Sequence, residues 1–281
     1  MPEVRSSGDA RIYYEDVGRG EPTLLFIPGW CTTREVFRPL VARCAARHRV
    51  LCVDVRGHGE SGGGGADFDS DTVLQDLLTV VKASGAGQVV PVALSHAGWW
   101  AIELRRELGA ERVPQLVLMD WIISEPPPAF ADALRGLMSD RWRETREGLF
   151  GMWLQDVKDE NIIRYTRDVM GGFGEEMWAR AAREISSAYA REGSPLRALF
   201  GLRPPTPTLH LYSQPDAHEY LDAQVAFSTQ HPWFHVMKLP AISHFPMLEV
   251  PDLVAAGIEA LVSARETYMN TNLDAASTPP A

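Results

Sequence analysis

The sequence predicts an α/β protein: a mostly parallel sheet covered by helices, with a helical cap inserted before its last strands. Three observations predict this. Short apolar, β-branched runs alternate with helical stretches from residue 11 to residue 119. That rhythm stops between about 125 and 202, where no strand-like run occurs and Arg, Met and aromatic residues sit at helical spacing. It returns from 208 to the last helix, near Asp252–Ala264.

Each element has its own reason. Arg11–Val17 reads as an early strand and Thr23–Ile27 as a buried one, closed by Pro28-Gly29-Trp30. Arg49–Asp54 is a third apolar run, followed by the turn formers Arg56-Gly57-His58-Gly59 and a glycine-rich stretch at Gly62–Gly65. Val73, Leu77, Val80 and Val81 share one face of a helix near Asp71–Ala83. Gln88–Leu94 is short, continuous and β-branched, the pattern of a central parallel strand buried on both faces. A helix follows through about Leu108, and then a strand, Gln115–Met119, ending at Asp120-Trp121. After the cap come Thr208–Tyr212, a helix near Glu219–Gln230, Phe234–Leu239 and the His244 loop. The organisation expected is a core over 1–124, a cap over 125–202, a second core segment over 203–265, and a small, polar, disordered tail over 266–281.

Composition narrows the function. The formal net charge is -10 and the basic residues are scattered, which argues against nucleic acid, since a phosphate binder needs a basic face. Cys31, Cys44 and Cys52 have no CxxC spacing, so reduced thiols in a cytoplasmic protein are expected, with neither a disulfide framework nor a zinc site. Met1-Pro-Glu-Val-Arg-Ser has no signal-peptide character, and no apolar run approaches the roughly 18 residues of a membrane span. His48, His210, His218, His231 and His235 show no ligand spacing, and no phosphate-binding glycine motif opens a helix, so neither a metal nor a nucleotide cofactor is expected.

Ala93-Leu94-Ser95-His96-Ala97-Gly98 stands at a strand-to-helix junction. A sharp turn there lifts a side chain clear of the sheet, and the helix N-terminus aims N–H groups at a developing anion. The usual G-x-S-x-G has alanine here at both glycine positions, Ala93 and Ala97. His244, after the last strand and before the last helix, occupies the place of the catalytic base in the α/β-hydrolase fold. Two carboxylates suit a base partner. Asp216 follows the next-to-last strand, the commoner location; Asp120 follows the strand after the elbow helix, and its apolar surroundings should shield it better. Asp120 is preferred and Asp216 stays open. Trp30 follows an early strand where this fold finds its second oxyanion donor, so the backbone N–H groups of Trp30 and His96 are the expected pair. Asp54-Val-Arg-Gly-His-Gly-Glu-Ser61 marks the fold, with His58 structural.

Several segments together resemble one narrow family, the cofactor-independent 2,4-dioxygenases that open 3-hydroxy-4(1H)-quinolone rings and release carbon monoxide. They include Pro28-Gly29-Trp30-Cys31, Ser95-His96-Ala97-Gly98-Trp99, Met119-Asp120-Trp121 and, in the cap, Arg141-Trp142-Arg143-Glu144 and Gly148 through Trp153. Tyr189 through Pro195, Ser213-Gln-Pro215, Gln230 through Phe234 and Ser243-His244-Phe245-Pro246 complete the likeness, which spans nearly the whole chain. Within the family, the subgroup acting on long-alkyl quinolone signals such as the Pseudomonas quinolone signal looks closest.

The resemblance implies the following. His244, held by Asp120, removes the 3-hydroxyl proton; Ser95 hydrogen-bonds the substrate; the Trp30 and His96 N–H groups hold the 4-oxo oxygen; Trp153 lines the pocket. The partners implied are a 2-alkyl-3-hydroxy-4(1H)-quinolone and O₂, with no cofactor. Relatives can carry histidine where this chain has Leu94 and Thr32, a departure that suggests a greasier pocket mouth. Two other readings stand beside this one: a serine hydrolase acting through Ser95, His244 and Asp120 or Asp216, and a receptor that keeps the cavity without turnover.

Overall fold

The computed structural model describes residues 2–63 and 66–276. Eight strands form one sheet: β1 (Glu3–Arg5), β2 (Arg11–Val17), β3 (Thr23–Ile27), β4 (Val50–Val53), β5 (Val89–Leu94), β6 (Leu116–Met119), β7 (Thr208–Tyr212) and β8 (Phe234–Lys238). Their spatial order is β1-β2-β4-β3-β5-β6-β7-β8. β1 and β2 pair antiparallel, as do β2 and β4; every pairing from β4 to β8 is parallel. β3, β4, β5 and β6 are buried at every residue, the expected condition of parallel strands covered on both faces.

Helices supply the cover. α1 (Arg38–Cys44) packs on α11 (Pro251–Ala276), and α2 (Ser70–Ser84) packs on α3 (Ala97–Arg112), which also lies along β5. Asp69 caps α2 by accepting from Thr72 N–H at 2.9 Å, which satisfies one of the helix's free donors. Between β6 and β7 stand α4 (Pro128–Leu137), α5 (Trp142–Trp153), α6 (Glu160–Arg164), a π-helical segment (Tyr165–Met170), α7 (Glu175–Glu192) and α8 (Pro195–Phe200). α4, α5 and α7 pack on one another as a helical unit. α9 (His218–Gln230) precedes β8, and the short α10 (Pro246–Glu249) follows the His244 loop.

Three differences from the sequence reading have physical causes. β1 is three residues long, two of them charged, and gives no alternating signal. α1 carries Pro39 in its first turn, where proline is tolerated because that N–H has no partner anyway. α11 continues to Ala276, past the tail boundary expected at 266; no Gly or Pro interrupts 265–276, and each added residue costs little once a helix is nucleated. Residues 277–281 of that expected tail, like Gly64 and Gly65, lie outside the described residues. Among the described residues no helix is long and apolar enough to cross a membrane.

The Asp54–Ser61 turn is a buried polar knot. Asp54 accepts from the N–H groups of Arg34 (2.8 Å) and Glu60 (3.0 Å) and pairs with the Arg34 guanidinium. Gly59 is required there: at φ +52° any Cβ would sit 2.2 Å from an Asp54 carboxylate oxygen. His58 accepts from Cys31 N–H at its Nε2 and donates from Nδ1 to Arg56 O, both at 2.9 Å. Burial lowers its pKa to about 4, so it is a neutral strut beneath the Cys31 loop.

Candidate active site

Three loops leave the C-terminal edge of the sheet in left-handed backbone. Cys31 after β3, Ser95 after β5 and Asp120 after β6 have φ of +56°, +53° and +44°. Non-glycine residues adopt this region uncommonly and at a cost of order 1–3 kcal/mol, and such strain collects at functional sites. At Ser95 it is the elbow turn: β5 ends, one residue reverses the chain, and α3 begins at Ala97. The close packing that the turn needs comes from Gly98, whose added Cβ would lie 2.2 Å from the ring of the fully buried Trp121.

Asp120 directly follows β6, the parallel neighbour of β7, and its position relative to β7 decides its partners. Asp120 N–H donates to Leu211 O at 2.9 Å, so the chain leaving β7 crosses its carboxylate. Oδ1 accepts from Ser213 N–H (2.6 Å), Ser213 Oγ (2.7 Å) and Gln214 N–H (3.0 Å), and Oδ2 faces His244 Nδ1 at 2.6 Å. Burial pushes this carboxyl upward, but the His244 hydrogen bond and charge and the two backbone N–H groups outweigh it and hold it below the ordinary value. An ionised Asp120 only accepts, so His244 carries its proton on Nδ1 and leaves Nε2 as a free lone pair.

Asp216, the other candidate acid, is placed elsewhere. Its side chain is 89% exposed and pairs with Lys238 at 2.6 Å, and it makes no hydrogen bond to His244. The ion pair with Lys238 keeps it at the rim. The His244 loop is itself tied down by Glu249, whose carboxylate accepts from the N–H groups of Ile242 and Ser243, both at 3.0 Å, and from Ser243 Oγ at 2.8 Å.

The predicted site residues converge on one cavity of about 750 Å³, lined at its floor by Trp30, Ser95, His96, Asp120 and His244. Trp153 arrives from α5 and stacks on the His244 ring at 4.9 Å and 15°. Trp30 is buried in an aromatic cluster, 5.2 Å from Trp100 and stacked on Phe68 at 6.0 Å. Among the described residues neither the Trp30 nor the His96 backbone N–H has a protein acceptor. Thr32 and Leu94 also line the cavity, and the cap adds a mostly apolar wall that includes Leu134, Leu149, Met152 and Met170. Volume and lining are those of a small-molecule site, ~300–1,000 Å³ with few polar groups.

Sequence reasoning missed the supports. Ser213, Gln214 and Glu249 orient Asp120 and the His244 loop; the cue for the first two was their place just beyond β7, the parallel neighbour of the strand ending in Asp120. Phe130 and Tyr189, which enclose the His96 ring, had no cue, because they reach it from cap helices far along the chain. No group of three or more His, Cys, Asp or Glu is placed to hold a metal ion among the described residues.

Fold and elbow define an α/β-hydrolase-type protein, and the model of the alpha/beta hydrolase family matches residues 24–257. Full-length relatives are more specific. The chain is 33% identical over 94% of its length, and all of the relative's, to 1H-3-hydroxy-4-oxoquinoline 2,4-dioxygenase of Pseudomonas putida. It is 34% identical, with the same coverage, to 2-heptyl-3-hydroxy-4(1H)-quinolone dioxygenase of Mycobacteroides abscessus. The structure of an AqdC variant in complex with its substrate, described as recognising and cleaving the ring of the Pseudomonas quinolone signal, superposes with a TM-score of 0.89 at 33% identity, covering 94% of this chain and 99% of that one. The chain belongs to the 3-hydroxy-4-quinolone 2,4-dioxygenase family of the α/β-hydrolase fold.

Proposed function

We propose that this chain converts a 2-alkyl-3-hydroxy-4(1H)-quinolone and O₂ to an N-acylanthranilate and carbon monoxide, with His244 as base, Asp120 as its partner and Ser95 as a hydrogen-bond donor. The observation that carries the reading is the His244–Asp120 contact at 2.6 Å on the floor of an apolar cavity, with Ser95 Oγ bonded to neither of them. A hydrolase needs its serine on the histidine. Here Ser95 Oγ lies 3.2 Å from His96 Nδ1.

In the reaction, His244 Nε2 takes the 3-hydroxyl proton and Asp120 stabilises the imidazolium formed. The Trp30 and His96 N–H groups hold the 4-oxo oxygen, and Ser95 donates to the substrate anion. The electron-rich C2 of that anion bonds O₂, the distal oxygen closes on C4, and the O–O bond breaks together with C2–C3 and C3–C4. C3 leaves as carbon monoxide with the oxygen it already carried, and the proton returns to solvent with the new carboxylate. Trp153 covers His244 from the cap and keeps water from the charged pair.

Thr32 and Leu94 at the cavity, and the aliphatic wall beyond them, favour a long 2-alkyl chain. Each buried CH₂ is worth about 0.8 kcal/mol, so the roughly six extra CH₂ groups of a buried 2-heptyl chain are worth about 5 kcal/mol, and a 2-heptyl substrate should exceed a 2-methyl one by roughly 10³–10⁴-fold in kcat/KM. Equal rates would remove the long-chain assignment, and turnover of neither with esterolysis in its place would remove the dioxygenase one. Cys31, Cys44 and Cys52 are all free and buried, which supports work in the reducing cytoplasm.

A further inference from the structure

The residue after the elbow serine contributes more than a backbone N–H. Its imidazole lies in the site with Nδ1 3.2 Å from Ser95 Oγ, and its Nε2, buried, has no hydrogen-bond partner among the described residues. The ring is fixed from three sides. Phe130 of α4 stacks on it at 5.4 Å and 3°, Tyr189 of α7 meets it edge-on at 5.9 Å, and Trp121 closes the third side at 6.2 Å. Two of these three come from the cap, so the cap sets the ring's angle.

We infer that His96 is a positioning residue that donates from Nδ1–H to Ser95 Oγ, holding the serine away from His244 and leaving its O–H free for the substrate anion. This rests on the proposed role of Ser95 as a donor. The tautomer follows from burial: a neutral imidazole has one N–H, and a buried orphan N–H is rarer and costlier than a buried orphan lone pair. The proton therefore belongs on Nδ1, where Ser95 Oγ accepts it. The charge state follows from the same surroundings, since burial and then the nearby His244 lower the His96 pKa to about 3. His96 stays neutral when His244 takes up a proton and so does not compete for it.

The consequence is a choice between two chemistries. With an oxygen lone pair engaged by His96, the Ser95 hydroxyl polarises toward donation, in a chain Nδ1–H···Oγ–H···O⁻ whose bonds strengthen one another. The same bond keeps Ser95 in a side-chain orientation that makes no hydrogen bond to His244, the contact that a nucleophilic serine requires. His96 thus favours hydrogen-bonding over attack at an elbow built for attack.

The test uses the full chain and an alkyl fluorophosphonate, which reacts only with an activated serine, read as peptide-resolved labelling of Ser95. Wild type should label slowly and cleave 2-heptyl-3-hydroxy-4(1H)-quinolone. His96→Phe keeps the stack on Phe130 but lacks Nδ1; it should label on the order of tenfold faster and cleave the ring on the order of tenfold slower, the worth of one hydrogen bond. His96→Asn places an amide nitrogen where Nδ1 stood and should restore both rates, which a merely structural role for the ring would not. Unchanged labelling in His96→Phe with ring cleavage intact overturns the inference and leaves the dioxygenase reading standing. Rapid labelling of wild type, with no ring cleavage, overturns the dioxygenase reading itself. Should His96→Phe not fold, imidazole ¹⁵N–¹H correlations of the wild type decide: a proton on Nδ1 of His96 is expected, and one on Nε2 refutes the assignment.

Discussion

Replacing Asp120 with asparagine changes one atom and inverts the hydrogen-bond logic of the site. Oδ1 accepts from three donors, two of them backbone N–H groups that cannot turn into acceptors, so the amide oxygen of the new side chain must take that side. The NH₂ group then faces His244 Nδ1, which becomes an acceptor, and the imidazole proton moves to Nε2. That nitrogen can no longer receive a proton from substrate, and the imidazolium loses its counter-charge. General-base removal of a proton is worth ~10²–10⁴ in rate, and the equivalent carboxylate-to-amide change in a serine protease triad costs ~10⁴. Asp120→Asn should therefore lower kcat/KM by about 10²–10⁴ near neutral pH. Part of the loss should return as pH rises and solvent ionises the 3-hydroxyl. Asp216→Asn, which removes only an exposed ion pair with Lys238, should change the rate less than about twofold. Single-turnover decay of the quinolone absorbance in air-saturated buffer from pH 6 to 10 measures both. A larger loss in Asp216→Asn, or an Asp120→Asn profile parallel to wild type, would refute the reasoning.

Other outcomes follow from the same contacts. Ser95→Ala should lose on the order of 10- to 150-fold in ring cleavage, the worth of a hydrogen bond to an anion, against ~10⁶ for a lost nucleophile; a covalent adduct on Ser95 during turnover would contradict this. Gly98→Ala should destabilise by about 1–3 kcal/mol or more through its clash with Trp121, and an unchanged melting temperature would show that the ring can move. Stability should fall in acid. Burial lowers the pKa values of His58, His96 and His210 to about 4, 3 and 4, so below about 6.5 the unfolded chain binds protons that the folded one refuses. That stability is complete above about 6.5 and declines by ~1.4 kcal/mol per pH unit per histidine, or about 4 kcal/mol per unit for the three, down toward pH 4. Urea denaturation from pH 7 to 4.5 reads the slope, and a flat profile would mean that the rings take up protons in the native state.

Much of this was legible in the sequence, for reasons specific to each part. β3, β5 and β7 occupy 23–27, 89–94 and 208–212, close to the expected bounds, because strands covered on both faces must be continuous apolar runs. Chain order placed Ser95 and His244 on their loops, and the apolar run before Asp120 marked the carboxylate that bonds His244. What stayed hidden depends on contacts between distant segments. The grip of Ser213 and Gln214 on Asp120 follows from β6 and β7 lying side by side, which periodicity cannot show. The enclosure of His96 comes from α4 and α7, whose packing over the sheet no local pattern encodes. The side chain of His96 was read only for its backbone N–H, because an imidazole beside an elbow serine has no sequence mark of which way it turns.

The central claim is that O₂, not water, opens the substrate on a site of hydrolase build. Turnover of 2-heptyl-3-hydroxy-4(1H)-quinolone under ¹⁸O₂, with mass spectrometry of both products, tests it directly. Closure of a C2 peroxide on C4 places one oxygen atom in the amide carbonyl and one in the carboxylate, so the N-acylanthranilate should carry two ¹⁸O atoms. The carbon monoxide, formed in equal amount, should carry none. Product labelled from H₂¹⁸O instead, or turnover that proceeds without O₂ and releases no carbon monoxide, would contradict the account.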